Sequence, residues 1–111
     1  MFEQSRHGAV NVIKTSQPFS GDSVDPFAEI MQELILAGQP MIVFDMSDVP
    51  LVDSRGLEIL LEVKDDCDRR GGNLNIAAAN PLCADIFELT GVCDRFEMYA
   101  SVSDAVGSFI K

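Results

Sequence analysis

The residue in this chain that is best suited to reversible chemistry is Ser54, which lies in the segment Asp53-Ser54-Arg55-Gly56. The surrounding pattern places Ser54 in the first turn of a predicted helix, where backbone N–H groups lack partners and the helix dipole is positive. Those donors could hold a phosphoryl group on Ser54, which would disturb any surface that docks there. Gly56 lets another backbone approach this turn closely. The alternative is that Asp53 and Ser54 form an ordinary N-cap without a further role.

A set of predicted strands positions this segment. The clearest strand is the apolar run 41–44, which is typical of a central strand covered on both faces. Three further strands are predicted at 74–78, 96–99 and 9–13. Residues 2–6 are predicted to pair beside the strand at 9–13, with Gly8 in the turn. Because that link is too short for a parallel crossover, we expect a mixed sheet.

Helical periods lie between the strands. Apolar residues at spacings of three and four predict helices at 25–37, 54–70 and 81–90. A last helix, capped by Ser101 or Ser103, is predicted to carry Ala105, Val106, Phe109 and Ile110. The order β-β-α-β-α-β-α-β-α predicts a single α/β domain over residues 1–111, with a mixed, mostly parallel sheet of about five strands and about four helices.

The charge balance limits the partners. The chain has 18 acidic and 8 basic residues, a net charge of −10 and a pI near 4.2. The scattered Lys and Arg residues form no basic stripe, so we expect no binding to nucleic acid or to an anionic membrane. A basic protein surface would be attracted, although many acidic proteins are simply soluble. Both interpretations of the charge stay open.

The cysteines and the N-terminus indicate a cytoplasmic protein. Cys67, Cys83 and Cys93 form no C-x-x-C pair, and one histidine is too few for a structural zinc site. We therefore expect reduced, mostly buried thiols and no metal. The first residues show no basic stretch followed by an apolar one, and no apolar run approaches the roughly 20 residues that span a bilayer. We expect no secretion and no membrane insertion.

An enzymatic role for Ser54 is not predicted. The segment Val52-Asp53-Ser54-Arg55-Gly56 lacks the first glycine of a G-x-S-x-G nucleophile elbow. His7 lies in an N-terminal stretch that we expect to be weakly ordered, so no general base is predicted beside the serine. The chain also lacks both glycine-rich phosphate-binding motifs. We therefore expect neither catalysis nor a cofactor.

The stretch F-D-M-S-D-V-P-L-V-D-S-R-G-L at 44–57 resembles the signature of STAS domains, the family of bacterial anti-sigma factor antagonists, or anti-anti-sigma factors. The likeness continues through 73–77, through Leu89-Thr90-Gly91-Val92, which resembles the family's L-x-G-[LV] helix end, and through 101–106, which resembles its final S-x-x-[ED]-A helix. The family's order of strands and helices is also the order predicted above.

The resemblance implies a partner switch. In the family, the unmodified antagonist binds an anti-sigma factor, often a serine kinase, which phosphorylates the serine after the motif aspartate. In this chain, that serine is Ser54. The phosphorylated antagonist releases the anti-sigma factor, and a phosphatase removes the phosphate and so restores binding. The expected partner-binding residues are Asp48, Met46, Asp53, Ser54, Arg55 and Gly56. The protein is expected to be a monomer or a weak dimer. Some relatives are not phosphorylated and serve as scaffold or transport-associated modules, so that alternative stays open.

Two of these positions allow more than one interpretation. Many antagonists read D-S-S-G, whereas this chain has Arg55 at the third position. Arg55 could pair with a phosphate on Ser54 or with an acidic group on a partner, or it could be a solvated first-turn residue. Met46, with Val49, Pro50 and Leu51, forms either an exposed apolar patch for docking or part of the core.

Overall fold

The computed structural model describes residues 2–110, which form one five-stranded sheet with helices on both faces. The strands follow one another across the sheet in chain order: β1 Phe2–His7, β2 Val10–Thr15, β3 Met41–Asp45, β4 Asn73–Ala77 and β5 Met98–Tyr99. The hairpin β1–β2 is antiparallel, and every other neighbouring pair is parallel. The predicted mixed, mostly parallel sheet is confirmed.

The four predicted helices are present, three of them between strands and one after β5, and most of their ends agree with the prediction within one or two residues. They are α1 Asp25–Leu36, α2 Ser54–Arg69, α3 Pro81–Leu89 and α4 Val102–Gly107. Ser101 caps α4 by accepting a hydrogen bond from the Asp104 N–H, which settles the choice between the two serines. The helix is shorter than predicted, so Phe109 and Ile110 lie beyond it and Ile110 is 70% exposed.

The larger core lies between the sheet and helices α1, α2 and α3. Three aromatic rings at its centre join separate segments: the Phe19 ring lies 5.0 Å from both the Phe27 ring and the Phe44 ring. Phe19 follows β2, Phe27 belongs to α1 and Phe44 to β3, so this contact holds the chain after β2 against the sheet. A smaller core, which includes Val43 and Ala105, lies under α4 on the other face.

The direction of the strands decides where the site can form. Because β2, β3, β4 and β5 are parallel, the loops that follow them emerge at one edge of the sheet, which we call the carboxyl edge. Ser54 lies at this edge, after β3. His7 belongs to β1, which corrects the expectation of weak order, and it pairs with Val10 at the start of β2. The histidine therefore lies at the opposite edge from Ser54.

The cysteines are free thiols, as expected. Cys67 and Cys83 are buried and Cys93 is partly buried. Burial raises the pKa of the Cys67 thiol to about 12, and burial also raises the pKa of Cys83. Both buried thiols therefore stay protonated near neutral pH and act as small apolar side chains.

Candidate functional site

Ser54 is the first residue of α2, and its side chain is exposed at the carboxyl edge. Asp53 is the N-cap: its Oδ1 accepts a hydrogen bond from the Gly56 N–H at 2.9 Å, and its carbonyl accepts one from the Leu57 N–H at 3.0 Å. In the described part of the chain, the N–H groups of Ser54 and Arg55 have no such acceptor. The predicted first-turn position is confirmed, and two backbone donors remain open beside the serine hydroxyl.

The second carboxylate oxygen of Asp53 reaches a different segment. Its Oδ2 accepts a hydrogen bond from the Gly21 N–H at 3.2 Å. Gly21 begins a 3-10 helix that leads into α1. One carboxylate therefore ties the start of α2 to the chain that follows β2, and we call this pair of hydrogen bonds the Asp53 clamp.

Backbone contacts reinforce the Asp53 clamp. The Phe19 N–H donates to the Leu51 carbonyl at 2.9 Å, and the Asp53 N–H donates to the Phe19 carbonyl at 3.4 Å. These bonds form a short parallel bridge between Phe19 and Val52. The two loops therefore act as one unit beneath Ser54.

Gly56 is required by this close packing. A Cβ atom built on Gly56 would lie 2.4 Å from the Phe19 carbonyl oxygen and 2.8 Å from side-chain atoms of Phe19 and Val52. Real Cβ atoms do not approach other atoms so closely. The expectation that another backbone packs against this turn is confirmed, and the approaching group is the Phe19 carbonyl.

Arg55 is not a freely solvated side chain. Its Nη2 lies 2.9 Å from Oδ1 of Asp25, the first residue of α1. Both side chains are about half exposed, so the ion pair contributes about 0–1 kcal/mol. Within the unmodified chain, the guanidinium is thus directed toward α1.

Asp48 and Met46 have different environments. Asp48 is exposed, and its Oδ2 lies 3.3 Å from Nζ of Lys14. The hydrogen bond and the charge of Asp48 raise the pKa of Lys14. Met46 is fully buried, which corrects its assignment to the partner-binding surface. The cause is that sheet pairing continues past Asp45: the Met46 N–H donates to the Ala77 carbonyl at 2.9 Å.

Asn80 is a further residue of this edge that the sequence pattern does not single out. It caps α3 by accepting a hydrogen bond from the Cys83 N–H, and its Nδ2 donates to the Val49 carbonyl at 2.9 Å. The loop after β3 is therefore held from both sides, by Phe19 and by Asn80. The pair Asn80-Pro81 is a helix-start signal, but its contact with Val49 has no local signature.

No group of three or more potential metal ligands comes together within residues 2–110. Over the same residues, no helix combines the length and apolar character that crossing a bilayer requires.

The chain belongs to the STAS domain family, because the family model matches residues 2–105. Its fold is similar to that of a putative anti-sigma factor antagonist from Thermotoga maritima, with 18% identity, a TM-score of 0.89 and coverage of 96% of this chain and 92% of the other. It is also similar to the anti-sigma factor antagonist SpoIIAA in its unphosphorylated form, with 16% identity, a TM-score of 0.85 and coverage of 98% and 96%. Identities this low show a shared fold.

The same fold occurs inside a larger protein. The murine Solute Carrier 26 family member A9 anion transporter matches 92% of this chain with 18% of its own, at 18% identity and a TM-score of 0.78. A comparison with proteins of curated function finds no match.

The Asp53 clamp leads to a stability prediction. Asp53→Ala removes the hydrogen bonds to Gly56 and Gly21, and we expect it to lower the free energy of unfolding by about 2 kcal/mol in urea titrations. Ser101→Ala is the matched control, because it removes one N-cap bond on another helix and should cost about 1 kcal/mol. Equal losses for the two variants would show that the bond to Gly21 contributes nothing.

Proposed function

We propose that this STAS domain is an anti-sigma factor antagonist that works in the cytoplasm as a phosphorylation-controlled partner switch. With Ser54 unmodified it binds an anti-sigma factor that is also a serine kinase; phosphorylation releases that partner, and a phosphatase restores binding. The observation that carries the proposal is the exposed Ser54 hydroxyl at the start of α2, beside two open N–H donors and fixed by the Asp53 clamp. The activity is binding, in a monomer or weak dimer, rather than catalysis.

The modification itself is a phosphoryl transfer carried out by the partner. The Ser54 oxygen forms a bond to the γ-phosphorus of ATP, the bond from that phosphorus to the bridging oxygen breaks, and ADP leaves. The hydroxyl proton passes to a base of the kinase. The exposure of Ser54 allows this approach without unfolding of the domain.

Charge explains why the modified form would be released. A phosphoserine adds about −1.5 to −2 charges at neutral pH, next to Asp53, in a chain that already carries −10. Within a docked surface, this charge would have to lose water in a site that was matched to a neutral hydroxyl. A loss of ~3 kcal/mol of binding free energy lowers affinity by more than a hundredfold.

The structural neighbours support a modified state in this fold. SpoIIAA of Bacillus has been solved in a phosphorylated form, which matches this chain with 16% identity, a TM-score of 0.77 and coverage of 98% of this chain and 99% of that one. We assign the corresponding modification to Ser54, because this serine follows the aspartate of the D-S-x-G motif.

The docking surface that we propose extends from Ser54 across the loop after β3 to the start of α3. Leu51 in this loop is 40% exposed, and Leu82 in the first turn of α3 is 55% exposed. Asn80 links the two segments through its bond to Val49. The surface thus offers two apolar side chains with the exposed Asp48 nearby along the loop, which fits a partner with an apolar patch and a basic rim.

We expect Leu51→Glu and Leu82→Glu each to weaken binding of the anti-sigma partner at least tenfold in calorimetric titrations, because each places a charge in the apolar contact. Leu36→Glu and Leu89→Glu are matched controls: these leucines are 63% and 87% exposed, but they end α1 and α3 at the opposite edge of the sheet. Equal effects at all four positions would contradict a docking surface at the carboxyl edge.

The proposal is tested with the cognate anti-sigma factor kinase. The purified chain is incubated with that kinase and ATP, and its peptides are analysed by mass spectrometry. We expect one phosphate on Ser54, none on Ser54→Ala, and loss of the complex as modification proceeds. A complex that persists with Ser54 unmodified would overturn the switch and favour the scaffold or transport-associated role.

A further inference from the structure

We propose that Arg55 is the cation that binds the phosphoryl group on Ser54, and that it leaves Asp25 to do so. This inference rests on the proposed function and assigns a role to a residue that differs from the serine common at this position. Phosphorylation would then change the surface charge at the start of two helices, because the freed Asp25 belongs to α1 and the phosphate to α2.

The first argument is elimination among the cations. Three cations pair with acidic residues along the body of α2, away from its first turn: Lys64 with Asp68, Arg69 with Asp66 and Arg95 with Asp65. Lys14 pairs with Asp48 and lies on the sheet face that α4 covers, as do Val10 and Val12. Arg6 lies near the end of β1 at the opposite edge, and Arg70 follows the far end of α2. Among residues 2–110, Arg55 is therefore the cation at the start of α2.

The second argument is that the pair with Asp25 can exchange. Both side chains are about half exposed, with one contact of 2.9 Å between Nη2 and Oδ1, so water replaces this contact easily. A phosphate dianion carries about twice the charge of a carboxylate and offers three acceptor oxygens, which suit the fork of a guanidinium. The exchange therefore trades one exposed contact for a stronger, bidentate one.

The third argument concerns what is left behind. Asp25 is the first residue of α1, so its carboxylate stands near the positive end of that helix dipole. It is exposed to water and remains stable without a cation. The exchange creates no buried charge, and its visible result is an unpaired carboxylate on α1 facing any partner that spans both helices.

The test uses phosphoserine inserted at position 54 during translation, so that neither a kinase nor a partner is needed. The second pKa of the phosphate, ordinarily about 6, is followed by ³¹P NMR. We expect this pKa in Arg55→Gln to rise by about 0.5 unit or more, because a bound cation favours the dianion. Arg95→Gln is the matched control, because it removes an ion pair of 3.0 Å elsewhere and should leave the phosphate pKa unchanged.

Competition with Asp25 is tested by a second pair of variants. Asp25→Asn should lower the phosphate pKa more when Arg55 is present than in the Arg55→Gln background, because only then does it release a competitor for the guanidinium. Equal shifts in the two backgrounds, or the same pKa with and without Arg55, would overturn the inference. That failure leaves the kinase experiment untouched, whereas an unmodified Ser54 in that experiment overturns the proposed function itself.

Discussion

Gly56→Ala is expected to lower the melting temperature of the domain by about 10 °C. The added Cβ would lie 2.4 Å from the Phe19 carbonyl oxygen, so either the α2 turn or the Phe19 backbone must move. Overpacking of this kind costs about 1–3 kcal/mol, and a domain of this size loses roughly 4 °C per kcal/mol. Differential scanning calorimetry measures the shift.

Gly107→Ala is the control for this substitution. A Cβ on Gly107 meets nothing within 4 Å, and alanine is the better helix former, so this variant should be as stable as the parent or slightly more so. A Gly56→Ala variant that melts with the parent would show that the two loops separate at little cost. In that case the first turn of α2 would not be held as tightly as the Asp53 clamp indicates.

Ser54→Asp is expected to weaken binding of the anti-sigma partner by about a hundredfold. The added carboxylate stands next to Asp53 within the proposed docking surface, and it supplies part of the charge of a phosphate at the same position. Ser54→Ala adds no charge and should bind as the parent does. Surface plasmon resonance with immobilised partner measures both affinities.

Ser103→Asp provides the matched control for charge. Ser103 is exposed in the first turn of α4, which covers the other face of the sheet. The Ser103→Asp substitution adds the same charge as Ser54→Asp, also in the first turn of a helix. An effect of net charge alone would therefore weaken binding equally in the two variants. Retained binding by Ser54→Asp would contradict a switch based on charge at this turn.

The strand, loop and helix that carry Ser54 are predictable because each follows from a local rule. The apolar run of β3 is typical of a central strand that is covered on both faces. Asp53, which stands before a helical period of apolar residues, is an N-cap signal. These rules act within a few residues, so they place Ser54 in the first turn of α2 without knowledge of the rest of the chain. The alternation of strands and helices then places that turn at the carboxyl edge.

The contacts that assemble the site are not predictable in the same way, because they join distant segments. Asp53 contacts Gly21 across 32 positions, and Arg55 contacts Asp25 across 30. Many carboxylates in this chain could satisfy the same local requirement for Arg55. The sequence pattern therefore indicates an available cation, and only the folded chain shows its partner.

Met46 shows a different limit. The segment after β3 contains several apolar residues, and which of them face the core depends on where sheet pairing stops. Pairing continues through the bond between the Met46 N–H and the Ala77 carbonyl, so Met46 is buried, whereas Leu51 is partly exposed. The early end of α4 has a similar origin: Ser108 accepts a hydrogen bond from Asn75 of β4, which holds the chain as the helix ends.

The contact between Gly56 and Phe19 has a consequence for the divergence of related STAS domains. Since backbone groups and Asp53 hold the first turn of α2, Arg55 and Asp25 do not set the position of Ser54. The two residues can be exchanged together while Ser54 stays in register. A cell with several such domains could then keep their partners apart, because each domain would carry a different charge pair on the same backbone arrangement.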